Sequence, residues 1–142
     1  MKNVGNETPG EGIDAKIADI TKGLEAIVHA IQAKAPNAVI VVTGIFPRND
    51  NMKVMPEIDK INSNLAGLAD GKKIRYLNIN AQLADANGKL FDGMMNADGL
   101  HPALKGYQVW AEALKPIFTE VLGPPGTADH APPPTGDPYA RK

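Results

Sequence analysis

The chain has 142 residues, 15 Lys and Arg against 16 Asp and Glu, a net charge of −1 and no cysteine. That length suits one ordinary domain, and the mixing of acids with bases leaves no basic stripe for nucleic acid or an anionic membrane. Without cysteine there is no disulfide framework, thiol nucleophile or thiolate metal site.

Residues 1–12, rich in Gly, Asn, Glu and Pro, read as a loop. They lack the apolar centre of a signal peptide, and no apolar run in the chain approaches the length of a bilayer span; the compartment stays open. From Ile13 the apolar positions Ile17, Ile20, Leu24, Ile27, Val28 and Ile31 step by three and four, which predicts a helix ending near Ala35, before Pro36. The β-branched run Ala38-Val39-Ile40-Val41-Val42-Thr43-Gly44-Ile45 is apolar on both faces, as an interior strand of a parallel sheet should be. Residues 46–51 form the loop at its carboxyl end.

A second helix is expected from about Pro56 to Leu68, with Ile58, Ile61, Leu65 and Leu68 buried, and Gly71 after it. The strand Ile74-Arg75-Tyr76-Leu77-Asn78-Ile79 follows. A loop of little regular structure, with Asn87-Gly88 as a tight turn, leads to Asp98. Beyond Pro102, expected at the first helical position, Leu104, Tyr107, Ala111, Leu114, Phe118 and Val121 mark a last helix that Pro116 should bend or weaken. The Pro-rich segment 123–142 reads as a disordered tail, leaving one domain over residues 1–122. Alternating helix and strand indicate an α/β architecture with right-handed crossovers. Two strands are too few, however. An apolar parallel pair leaves a strand edge unprotected, which implies a sheet truncated on its N-terminal side and invites pairing between copies or aggregation.

The chemistry concentrates in Asp98-Gly99-Leu100-His101-Pro102. An aspartate three residues before a histidine, with a glycine between them, lets the carboxylate fold back onto the imidazole. Such a carboxylate fixes the imidazole tautomer and stabilises its protonated form, as in two members of a Ser-His-Asp triad. The block, with Gly106, Tyr107 and Trp110 after it and Gly44-Ile45-Phe46-Pro47-Arg48 before it, resembles the C-terminal part of an SGNH hydrolase, also called the GDSL esterase/lipase family. The nearest branch is the platelet-activating-factor acetylhydrolase-like one. The likeness runs over residues 2–122.

The resemblance implies a flavodoxin-like parallel sheet in a three-layer α/β/α sandwich, and hydrolysis of a small acetyl or short-chain acyl ester. His101 would be the general base and Asp98 its partner. The family's serine block and its second block are absent here. The only serine, Ser63, sits inside a predicted helix and not on the sharp strand-to-helix turn that a nucleophile needs. The third block falls at the start of the chain, and by register its oxyanion asparagine corresponds to Lys2, already substituted, or to Asn3. The chain thus reads as an esterase portion beginning near the third strand, with the serine-bearing segment outside it.

Blander readings accompany each residue. Asp98 could stabilise the N-terminus of the last helix, and His101 could be a surface capping residue. Arg48 could meet an anionic group of the substrate but suits a solvated loop better. Tyr107 and Trp110 suit packing, His29 a helix surface, and His130 the tail. Asp92, Asp98 and His101 make a poor metal set, with one histidine and no second ligand pair. No GxGxxG or P-loop implies a nucleotide cofactor, which also weighs against a nucleotide-binding or receiver domain. The alternative to an esterase is a non-catalytic α/β binding module that keeps the DGLHP loop as a cap.

Overall fold

The structure is a computed structural model and describes residues 12–128. Its elements are helix α1 (Ile13–Lys34), strand β1 (Ile40–Thr43), a 3₁₀ turn (Met52–Val54) running into α2 (Met55–Ala66), strand β2 (Ile74–Leu77), a short α3 (Asn80–Leu83) and α4 (Leu104–Leu122). The helix–strand–helix–strand–helix order expected from the periodicity is present. Asn3, His130 and most of the expected tail lie outside the described residues.

Helix α1 buries Ile17, Thr21 and Val28, with Ile13, Ile20 and Leu24 packed beside them. Steps of four, three and four follow the true 3.6-residue period, so the stripe passes through Val28. Ile27 and Ile31, expected on that stripe, are exposed instead. The helix stops at Ala35, whose N–H reaches the Ile31 carbonyl at 2.7 Å. Pro36 then disfavours helical backbone at the residue before it.

The two strands pair in parallel, Ile40 opposite Ile74 through Thr43 opposite Leu77. Residues facing one side, Ile40, Val42, Ile74 and Tyr76, pack on α1 and α2. On the other side Leu77 joins Ile79, Leu83, Met94, Val109 and Trp110 against α4, and Arg75 pairs with Glu120 of that helix. Among the described residues β1 has no strand on its other edge.

Strand β1 is shorter than its apolar run because an asparagine ends it. The Asn62 amide on α2 accepts from the Ile45 N–H at 2.7 Å and donates to the Ile45 carbonyl at 2.9 Å. Asn80 donates to the same carbonyl at 3.0 Å. Strand β2 likewise stops before Asn78, whose side chain accepts from the Asn80 N–H at 2.9 Å.

That contact starts α3, where only a loop was expected. Leu83 is buried there beside Ile79 and Met94. A bridge between Ala84 and Leu90 closes around the Asn87-Gly88 turn, with Gly88 at φ +77°. Pro102 does not open the last helix: it pairs with Met95, and α4 begins at Leu104 after Ala103. Close contact follows in the first turn of α4, where a Cβ on Gly106 would stand 2.2 Å from the Met94 carbonyl oxygen. The first turn of α4 is thereby pressed onto residues 94–102. Pro116 lies within α4, which continues through it to Leu122. Residues 112 and 116 are both exposed, so water can serve the carbonyl that loses its donor.

Candidate active site

Asp98 begins a tight return of the chain. One carboxylate oxygen accepts from the Leu100 N–H at 2.9 Å and from the His101 N–H at 3.0 Å. The other stands 2.7 Å from His101 Nδ1. Gly99 supplies the left-handed conformation, φ +64°, that the return needs. Asn96 closes the loop from both ends: its carbonyl accepts from the Gly99 N–H at 2.9 Å and its N–H donates to the His101 carbonyl at 2.8 Å.

A carboxylate can only accept, so the proton between the pair is assigned to Nδ1 and the lone pair to Nε2. The imidazole is 70% exposed and the carboxylate 48%. Hydrogen bonding outweighs burial for Asp98. The His101 N–H, then the imidazole, then the Leu100 N–H lower its pKa to about 2. The N–H groups it holds precede α4, so its local role is to cap its own loop and not that helix.

Ser63 is exposed in the middle of α2, far in sequence from any strand-to-helix turn. Arg48 forms an ion pair with Asp50, with Nε at 2.6 Å from the carboxylate. Trp110 meets Phe46 edge-on at 5.2 Å and stacks on Tyr107 at 6.3 Å. His29 is on the outer surface of α1. Among the described residues no three His, Cys, Asp or Glu side chains converge as metal ligands, and no helix is long and apolar enough to cross a membrane.

Sequence reasoning missed the amides around this loop. Asn49 and Asn96 bind backbone on either side of the Asp98–His101 pair. It also missed a cleft of about 460 Å³ lined by Pro47, Met55, Asn80, Ala84 and Phe91, which neither Asp98 nor His101 borders. The pair joins an imidazole to a carboxylate that orients it, an arrangement that the cleft lining does not contain.

The family model of the GDSL-like Lipase/Acylhydrolase family matches residues 3–109. The chain belongs to that family, a family of hydrolases. Its fold is similar to that of a Streptococcus pneumonia protein provisionally described as a platelet activating factor. There the TM-score is 0.61 and the identity 21%, over 81% of this chain and 54% of that one. A Bacteroides fragilis protein provisionally described as an acylhydrolase gives a TM-score of 0.59 and 20% identity, over 86% of this chain and 59% of that one. The chain thus spans little more than half the length of these solved structures, and at such identities the likeness concerns the fold. No curated protein matches the chain.

Proposed function

We propose that the chain is the histidine-bearing portion, residues 1–122, of a serine-type ester hydrolase that acts on small acetyl or short-chain acyl esters. The observation that carries this reading is the 2.7 Å contact between Asp98 and His101 Nδ1, which leaves Nε2 on an exposed ring. In the whole protein Nε2 takes the proton of a serine hydroxyl as that oxygen attacks the ester carbonyl. It then returns the proton to the departing alcohol. Water cleaves the acyl-serine by the same relay. Asp98 stabilises the imidazolium formed in each half.

The nucleophile comes from residues outside this chain, since Ser63 has neither the turn nor a neighbouring base. The same outside residues would add strands beside β1 and complete a three-layer sandwich; the uncovered edge equally favours pairing of two copies. Asn3, or Lys2 in the other register, would stand at the oxyanion position.

The test uses the longer protein that carries the serine. His101→Ala should lower kcat by about three orders of magnitude or more, because triad members act as a unit. A loss below tenfold removes His101 from the role and leaves the Asp98–His101 pair as the loop cap of a binding module. The present chain alone should hydrolyse an acetyl ester no faster than its His101→Ala variant. Turnover abolished by Ser63→Ala would overturn the assignment of the nucleophile.

A further inference from the structure

Behind the Asp98–His101 pair three segments meet, and one side chain joins them. Asn49 lies in the loop that follows β1. Its amide nitrogen donates to the Gly88 carbonyl at 2.9 Å, and its amide oxygen accepts from the Leu90 N–H at 3.0 Å. Both ends of the side chain are therefore spent on backbone groups of the 85–90 turn. The backbone N–H of Asn49 donates to the Gly99 carbonyl at 2.8 Å. Gly99 is also in close packing there: a Cβ on it would lie 3.0 Å from the Asp50 nitrogen and 3.3 Å from the Asn49 carbonyl carbon.

The chain of dependence is short. Gly99 must hold its left-handed conformation for the Asp98 carboxylate to reach the residues after it. The Gly99 peptide is held by Asn49, and the Asn49 loop is held by its own side chain on the 85–90 turn. An exposed carboxylate and an exposed imidazole gain little from their charges alone, so their alignment depends on the backbone beneath them. We propose that Asn49 is the positioning residue of the Asp98–His101 pair, fixing the Gly99 peptide so that the carboxylate stays on the imidazole. Neither aspartate nor alanine replaces it. Aspartate keeps the acceptor for Leu90 but loses the donor for Gly88, and alanine leaves both backbone groups unpaired.

The purpose of this device rests on the hydrolase reading, but its test does not. In the present chain, labelled for NMR, the readouts are the titration of the Asp98 carboxyl carbon and the low-field Nδ1–H proton of His101. In the parent chain Asp98 should titrate near about 2. Asn49→Ala should move it up toward 3.8, the ordinary value, and broaden the Nδ1–H signal by exchange with water. Asn49→Asp should give a smaller shift in the same direction, and serves also if the alanine variant fails to fold. Asn62→Ala is the control: it removes a structural amide elsewhere and should leave both readouts in place. An unchanged Asp98 titration with the Nδ1–H signal retained in folded Asn49→Ala, or in folded Asn49→Asp if only that variant folds, overturns the proposal. So does an equal change in Asn62→Ala. If the pair loosens as expected while His101→Ala leaves the esterase of the longer protein intact, the positioning stands and the hydrolase reading falls.

Discussion

On the side of the sheet that carries Ile40, Val42, Ile74 and Tyr76, helices α1 and α2 enclose Ile58 and Ile61 completely. On the opposite side α4 turns Gly106, Val109, Trp110 and Ala113 inward, yet leaves Phe118 50% and Leu122 78% exposed. Leu104, Tyr107 and Val121 are exposed on the same helix. Together these side chains give α4 an apolar outer face in water. The contrast separates two tasks. Enclosure removes apolar surface from water at Ile58 and Ile61 on the α1–α2 side and at Ile79 and Leu83 on the α4 side. The Asp98–His101 pair hangs on the thinner α4 side, where backbone turns and amides do the holding.

Substitutions can break or sharpen that contrast. Ile61→Ala should have the largest effect, a loss of about 4 kcal/mol in urea unfolding, because it empties a fully buried site. Gly106→Ala should cost about 3 kcal/mol, since a methyl group cannot share space with the Met94 carbonyl and the α4 side must shift. Asn62→Ala leaves the Ile45 N–H without its partner, while Asn80 still serves the carbonyl, and should cost about 2 kcal/mol. Acid should act locally. Folding depresses the Asp98 pKa to about 2 from 3.8, so its contribution is present above pH 4 and is lost as pH falls toward 2. Faster amide exchange over residues 98–101 in that window would register it. Phe118→Ala should change stability by no more than about 0.5 kcal/mol. A cost near that of Ile61→Ala would erase the distinction between the two sides.

How much of this could be read in advance follows from the range of each interaction. Stripes such as Ile58, Ile61 and Leu65 declare α2 because their spacing is local, and Asp98 with His101 was legible because three residues and a glycine suffice to join them. Helix α3 was not, since four residues show no period. The work of Asn49 depends on Gly88 and Leu90, and that of Asn62 on Ile45; asparagine looks the same in sequence whether it faces water or backbone. Ile27 and Ile31 misled because period alone does not show which turns of a helix have a neighbour to pack on, and Pro102 because its pairing partner, Met95, lies outside its own turn.

The amide clasp at Ile45 has a consequence for whatever is laid along the bare side of β1. Asn62 already occupies the backbone positions that a neighbouring strand would use there. An added strand therefore runs out of ladder after Thr43 and has to veer off. It does so at the carboxyl end of the sheet, where the 46–51 loop meets Gly99. A single carboxamide would thus work as a ruler for any strand laid there, setting where it leaves the sheet.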